Sequence, residues 1–332
     1  MMKYIYVSFL IFAFSIDSLI INAQSDIISL DTFFEPKTEF NSTRFYSALG
    51  IGGIIYGAGT YFLYESWYKN NGIGSFHFFD DRGEWLHMDK IGHAYTAFNQ
   101  SSIMYHGAKW TGLYEDKSLA FGVTMGLVLQ TTVEVLDGFS DKWGFSWSDM
   151  VANVGGASLF YVQRKLWGED RITFKVSSWK RRYSTEWIVG TNGDDGTTLE
   201  NRANDLFGSS FAQRYLKDYN AQTYWMSFNL KSFFEDSSIP NWLNLAIGYS
   251  GENMFGGFSN NWEISDVSRI ILPNSYNRYG QFFISPDIDL TKLKVKSHFI
   301  KTLFRGLNIF KLPMPAIEIN TRGEFVFHLL YR

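Results

Sequence analysis

The chain has 332 residues, a net charge of −3 and an aromatic content of 18%. This length predicts two packed units, and the weak net charge supplies no basic field to attract nucleic acid, so we expect no nucleic-acid partner. Because cysteine is absent, the sequence excludes disulfides, thiolate metal sites and acylation of a cysteine. The high aromatic content is typical of sheets and of membrane interfaces.

The amino terminus has the features of an export signal. Lys3 provides a positive start, Tyr4 to Ile16 is apolar, and Ala23 precedes the expected cleavage point. We therefore predict a signal peptide over 1–23, a linker over 24–44, and a mature protein in the periplasm or at the outer membrane. The alternative is an uncleaved anchor, which would make the chain an integral inner-membrane protein.

Residues 45–168 are predicted to form a helical domain of about four segments separated by polar or glycine-containing breaks. Small residues recur four apart in it, a spacing that permits close helix packing. The first segment, FYSALGIGGIIYGAGTYFLYESWY, carries no charge before Glu65 and is about long enough to cross a bilayer. We favour a membrane-associated bundle over four membrane spans. The small-residue pairs are Gly53 with Gly57, Gly122 with Gly126, and Ala152 with Gly156.

Beyond residue 168 the composition changes. We predict a loop-rich connection over 169–222 and a β-rich domain over 223–332, where large side chains alternate with small or polar ones. About four to six strands are visible, whereas the smallest bacterial outer-membrane barrels need about eight. The predicted fold class is therefore α+β, with an aromatic-rich antiparallel sheet that the helices cover on one face.

Three of the predicted helices carry a polar stripe on an otherwise apolar surface. Helical spacing places Asp89 and His93 on one face, and turns Lys90 towards another helix. Since buried charges need partners, the three stripes are expected to face one another. The candidate site residues are Asp89, Lys90, His93, Glu134, Asp137, Ser146, Asp149 and Asn153.

The same residues carry a family resemblance over roughly residues 85 to 165. The pattern consists, in chain order, of Asp89-Lys90, His93, Glu134, and a segment that runs from Ser146 through Asp149 and Asn153 to Gly156. It resembles the YfiM-like family of predicted periplasmic lipoproteins of unknown function. More distantly, it is similar to VanZ-like membrane proteins. The resemblance implies an envelope location and supplies no reaction. Lipid attachment does not carry over, because the chain has no cysteine.

Two interpretations of the polar residues stay open. Carboxylates and an imidazole suit a catalytic acid–base site or a divalent cation, for which the candidate ligands are His93, Glu134 and Asp149. Alternatively, the residues form a structural network that fixes helix register. An open cleft reaching His93 would favour an enzyme, and a sealed cluster would favour the network.

We therefore predict an uncharacterised exported envelope protein associated with membrane lipid or an envelope protein. The alternatives are a hydrolase or transferase acting on a lipid-linked envelope substrate, and a structural outer-membrane component. No small-molecule substrate can be named, and a divalent cation is the only candidate cofactor.

Overall fold

A computed structural model describes residues 30–65 and 72–331. The predicted signal peptide and cleavage point lie outside the described residues. All four predicted helical segments of the first half are present, preceded by a short extra helix in the predicted linker. The helices are α1 (Leu30–Phe34), α2 (Ser42–Leu63), α3 (Met88–Trp110), α4 (Glu115–Gly138) and α5 (Trp147–Trp167).

Helices α3, α4 and α5 pack closely because glycines lie where they meet. A Cβ atom on Gly156 of α5 would lie 2.0 Å from the backbone oxygen of Ala94 in α3. On α4, a Cβ atom on Gly122 would lie 2.6 Å from the Ser101 backbone oxygen, and one on Gly126 would lie 2.3 Å from Ser101 Oγ. The predicted close packing at these glycines is therefore confirmed.

Helix α2 is different. None of its residues is buried against the described part of the chain, and no described atom would contact a Cβ on Gly53 or Gly57. Among the described helices, α4 is the one whose length and apolar composition suit a membrane span, although core helices of soluble proteins share that composition. Helix α4 uses one side to pack against α3 and α5.

The second half forms a six-stranded antiparallel sheet with the order β1-β4-β5-β8-β9-β10, and two small hairpins. The predicted α+β class is confirmed. The strands are β1 (Ile172–Ser178), β2 (Ile188–Val189), β3 (Gly196–Thr197), β4 (Gln222–Asn229), β5 (Leu243–Glu252), β6 (Asn261–Ser265), β7 (Ser268–Ile271), β8 (Tyr279–Ile288), β9 (Met314–Asn320) and β10 (Phe325–Tyr331). The later helices are α6 (Leu199–Phe207), α7 (Phe211–Lys217), α8 (Leu230–Phe233) and α9 (His298–Leu307).

The segment 169–222, predicted as a loop-rich connection, contains an edge strand of the main sheet. Strand β1 pairs along its whole length with β4, and helices α6 and α7 follow it. The run ITFKVSS alternates as a strand should, but it is short and directly follows the long helix α5. Its place in the sheet comes from pairing with a strand about 50 residues later, which local sequence does not reveal.

The sheet curls strongly around one face. In a flat sheet β4 and β10 would be about 19 Å apart, since they are four strand positions apart at about 4.8 Å each. Instead, the Tyr331 hydroxyl on β10 lies 2.9 Å from Thr223 Oγ1 on β4. The face that carries these two residues is therefore the inner face of a curved sheet.

The inner face buries polar side chains around a small apolar cluster. Trp225, Phe283 and two alanines form that cluster. Beside it, Lys175 and Asp287 are fully buried and their Nζ and Oδ2 atoms lie 2.7 Å apart. Buried ionic groups are tolerated only with partners, and here both charges have them.

The outer face is apolar and only partly covered. A row of directly paired side chains crosses all six strands: Phe174, Met226, Ile247, Ile284, Ile317 and Phe327. Helices α3 and α5 cover the β1 and β4 end, where Phe174 packs against Phe98 and Phe160. We call the remainder the open face. It comprises Leu245, Ile247, Phe282, Ile284, Ile317, Ile319, Phe325 and Phe327, which are 39–68% exposed.

Candidate functional site

The site begins at a strained turn directly before α3. Trp85, Leu86 and His87 have φ values of 50°, 52° and 66°, a left-handed conformation that non-glycine residues rarely adopt. Two hydrogen bonds to the second half of the chain hold this turn. The Tyr249 hydroxyl of β5 donates to the Leu86 oxygen at 2.8 Å, and the Trp85 amide donates to the Gly257 oxygen at 2.7 Å. These contacts fix where α3 starts and therefore where its first polar residues point.

Lys90 is the central cation of the cluster. Its Nζ lies 2.7 Å from Asp81 Oδ2, 2.9 Å from Asp89 Oδ2 and 2.7 Å from Asp149 Oδ1. The carboxylates come from the loop before α3, from α3 itself and from α5. Lys90 therefore joins three separate segments, which confirms the prediction that it reaches towards another helix.

Asp81 also organises the start of α5. The hydroxyls of Ser146 and Ser148 donate to Asp81 Oδ1 at 2.6 and 2.5 Å. Ser146 is the N-cap of α5, and its Oγ accepts from the Asp149 amide at 3.1 Å. Ser146 therefore caps α5 and places Asp149 one turn into the helix beside Lys90.

His93 lies between two pairs of polar groups. On one side its Nδ1 is 3.2 Å from Asn153 Oδ1 and 3.5 Å from Glu134 Oε1. On the other side its Nε2 is 3.9 Å from both Asp89 Oδ1 and Asp149 Oδ1. The imidazole is thus surrounded by groups from all three helices, α3, α4 and α5.

The polar stripes meet along their length, as predicted. One turn beyond the charged cluster, the Gln130 amide of α4 donates to Gln100 Oε1 of α3 at 2.8 Å. Asp137, the last stripe residue of α4, acts on the cluster through its charge, which helps to raise the pKa of Glu134. The structure therefore brings at least seven of the eight candidate residues into direct contact.

Burial and charge divide the carboxylates into two classes. Burial raises the pKa of Glu134 to about 8, against the charge of His93. Burial, followed by the charge of Asp89, raises the pKa of Asp149 to about 9. Burial opposes ionisation of Asp81 as well, but hydrogen bonds from Asp149, Lys90 and the two serines lower its pKa.

Asp89 belongs to the ionised class. Burial opposes its charge, but electrostatic interaction with His93 and Lys90 and the hydrogen bond from Tyr219 lower its pKa. Around neutral pH the cluster therefore holds Asp81 and Asp89 as carboxylates beside the Lys90 cation, with Asp149 and Glu134 protonated. Such a divided set of carboxyl groups can hold and exchange protons.

The cluster is almost closed to solvent. Glu134 is 1% exposed, Asp149 4% and Asn153 0%. From the sheet side, the Tyr219 hydroxyl donates to Asp89 Oδ1 at 2.6 Å and covers the end of α3. The structure has cavities of about 460 and 200 Å³ beside the inner face of the sheet. Among the described residues, neither cavity is lined by a member of the cluster.

Sequence reasoning missed Asp81 and Tyr219. Asp81 lies in the loop FDDRGEW, and Tyr219 lies in a single turn before β4, so neither belongs to a helical stripe. The adjacent Asp80 is identical in type but exposed and paired with Arg82. Only tertiary contacts distinguish Asp81 from Asp80, and no local signal would have selected it.

Comparison with known proteins gives one partial match. A family model described as "Predicted periplasmic lipoprotein (DUF2279)" matches residues 77–165, little more than a quarter of the chain. No curated protein and no solved structure shows a significant match. The matched region contains α3, α4, all but the last two residues of α5, and the whole polar cluster except Tyr219.

The family description agrees with the sequence prediction at the level of localisation. It confirms an exported, periplasmic or outer-membrane-associated protein whose activity is uncharacterised. The narrower names YfiM-like and VanZ-like stay resemblances, because the matched description contains neither.

Proposed function

We propose that this exported envelope protein associates with a membrane through two apolar surfaces, the open face of the sheet and helix α2. The observation that carries the proposal is the pattern of burial in the sheet. Polar and charged side chains such as Lys175 and Asp287 lie inside, while large aliphatic and aromatic side chains lie outside. A sheet facing water has the opposite arrangement, and a sheet facing hydrocarbon has this one.

The continuity of the open face supports lipid as its occupant. Ile247, Ile284, Ile317 and Phe327 are direct neighbours on successive strands, so the apolar surface has no polar interruption along this row. Contiguous exposed apolar surfaces of this kind mark membrane or protein interaction sites. Helix α2 adds a second such surface, since Ile51, Ile54 and Ile55 on it are all well exposed.

The absence of cysteine supports the same proposal. The family that matches the helical region is described as a predicted lipoprotein family, and lipoproteins are held at a membrane by acyl chains. This chain has no cysteine to acylate. Apolar protein surfaces would then take over the task of holding the chain at the membrane.

Within this proposal the polar cluster acts as a structural network. It ties the loop before α3 to three helices and, through Tyr219, to the sheet. The nearly complete burial of Glu134, Asp149 and Asn153 favours a network over a catalytic cleft. Hydrolase or transferase activity on a lipid-linked substrate stays a prediction with no observation of its own in its favour.

A flotation assay tests the proposal. The purified full chain is mixed with phosphatidylethanolamine–phosphatidylglycerol vesicles and centrifuged through a density gradient. We expect the wild type to float with the vesicles. The variant Ile284→Glu/Ile317→Glu should float at least about tenfold less, because each charge placed in hydrocarbon costs about 2–3 kcal/mol or more.

Val267→Glu is the matched control. Val267 is equally apolar and 76% exposed, but it lies in the turn between β6 and β7, away from the open face. It should float like the wild type. Equal flotation of the wild type and the double variant, or a wild type that stays with the soluble fraction, would contradict the proposal.

A further inference from the structure

The two nitrogens of His93 have different surroundings. An amide oxygen only accepts hydrogen bonds, so Asn153 Oδ1 at 3.2 Å assigns the proton to Nδ1. Nε2 then presents its lone pair to the side where Asp89 Oδ1 and Asp149 Oδ1 each lie at 3.9 Å. These separations are too long for hydrogen bonds. The imidazole is therefore oriented by one nitrogen while the other faces two carboxyl oxygens.

That arrangement is close to the spacing of metal ligands. The Nε2 atom of His93 and one oxygen from each of Asp89 and Asp149 lie within 4.8 Å of one another. Two tetrahedral ligand atoms about 2.1 Å from one ion are about 3.4 Å apart. The two distances of 3.9 Å exceed that value by about 0.5 Å, a difference that small side-chain rotations remove.

Unpartnered buried groups give an independent indication. Glu134 Oε1 and Asn153 Nδ2 make no hydrogen bond with any described residue, although both side chains are at least 99% buried. Buried polar groups without hydrogen-bond partners destabilise a fold. Both belong to residues that contact His93 Nδ1, the position from which metal-bound histidines are oriented by a second residue.

The charges in the cluster are also unequal. Asp81 and Asp89 carry two negative charges, and Lys90, whose Nζ lies 2.7 Å from Asp81 and 2.9 Å from Asp89, supplies one positive charge. Lys90 pairs with Oδ2 of Asp89 and leaves Oδ1 facing His93. That oxygen also accepts from the Tyr219 hydroxyl at 2.6 Å, and Asp149 Oδ1 lies 2.7 Å from Lys90 Nζ, so each of the two oxygens has one partner besides a metal ion bound there.

We propose that His93 Nε2, Asp89 Oδ1 and Asp149 Oδ1 bind one divalent cation of the Zn²⁺ class, with Glu134 and Asn153 as positioning residues for the imidazole. One nitrogen and two carboxylate oxygens suit zinc, whereas calcium and magnesium prefer oxygen alone. Binding of the cation displaces the proton that Asp149 holds in the metal-free cluster. Three protein ligands leave a fourth tetrahedral position for a water molecule. The site is independent of the membrane surfaces, so either proposal can fail without the other.

Calorimetric titration of the metal-free full chain with ZnCl₂ tests the site. We expect about one equivalent to bind, with MgCl₂ and CaCl₂ binding far more weakly. His93→Asn should abolish binding, and Glu134→Gln should weaken it about 10- to 100-fold, as expected when a residue that orients a ligand is lost. Asp116→Asn is the control, because Asp116 is exposed on α4 and pairs with Lys165.

A second readout uses the wild type alone, so that misfolding of a variant cannot decide the outcome. Co²⁺ replaces Zn²⁺ in such sites, and four-coordinate Co²⁺ should give visible absorption bands that stoichiometric Zn²⁺ removes. Absence of Zn²⁺ binding by the wild type, absence of these Co²⁺ bands, or unchanged affinity in a folded His93→Asn variant would overturn the proposal.

Discussion

The ion pair between Lys175 and Asp287 shows how single residues hold the inner face of the sheet. Both side chains are 0% exposed, and Lys175 Nζ also donates to the Ile288 oxygen at 2.8 Å and to Asn308 Oδ1 at 3.0 Å. Lys311, whose Nζ is 4.0 Å from Asp287 Oδ1, is less favourably placed, and burial lowers its pKa to about 8. Asp287 is therefore the main counter-charge for two buried lysines.

Removing the Asp287 carboxylate should leave the buried Lys175 charge without its main counter-charge. We expect Asp287→Ala to lower the free energy of unfolding by about 3–5 kcal/mol, the usual cost of breaking a buried ion pair. Urea unfolding in detergent micelles measures the change. Asp236→Ala, in the exposed turn after α8, is the control and should change stability by less than about 0.5 kcal/mol. An equally small effect of Asp287→Ala would contradict the assigned role.

At the same scale, helical periodicity predicted most of the polar cluster. Two pairs of residues are four positions apart, Asp89 with His93 and Asp149 with Asn153. Each pair therefore lies on one helix face, independently of the tertiary structure. Asp81 could not be predicted in this way. A loop residue reaches the cluster only because the tertiary fold brings it there.

Between elements, glycine determines how closely the helices approach. Gly155 and Gly156 are adjacent on α5 but face different surroundings. A Cβ on Gly156 would meet the backbone of α3, whereas a Cβ on Gly155 would meet no described atom within 4 Å.

This pair gives a matched test of helix packing. Gly156→Ala should lower the free energy of unfolding by about 1–3 kcal/mol, because backbone atoms of α3 must move away. Gly155→Ala should raise it by up to about 1 kcal/mol through helix propensity alone. Thermal or urea unfolding of both variants decides the matter, and a stabilising Gly156→Ala would rule out the close contact.

The strands show a limit of sequence reasoning at the level of elements. The alternation of large with small or polar side chains that predicts strands over 223–332 is present in β5 and β8, where buried and exposed residues alternate. It could not say which face is buried, because Leu245 and Asn244 alternate identically in either case. The outcome, with Asn244 buried and Leu245 exposed, depends on the curl of the sheet and on where the helices stop covering it.

Across the whole molecule, the helical bundle covers only part of the apolar outer face of the sheet. Tyr224 and Tyr249 pack with Met88 of α3. The bundle therefore covers the sheet from β1 to the part of β5 that contains Tyr249. The rest of the face, through β10, is left open. The α+β class followed from the change of pattern near residue 168, but this incomplete coverage has no sequence signature of its own.

A fluorophore on the open face tests membrane contact most directly. Because the chain has no cysteine, Ile284→Cys gives a single labelling site for an environment-sensitive dye. With the labelled full chain bound to vesicles, we predict blue-shifted emission that brominated acyl chains quench, and neither effect for the control Val267→Cys. Emission from position 284 that stays unshifted and unquenched, as at position 267, would contradict the proposal that the open face lies against lipid.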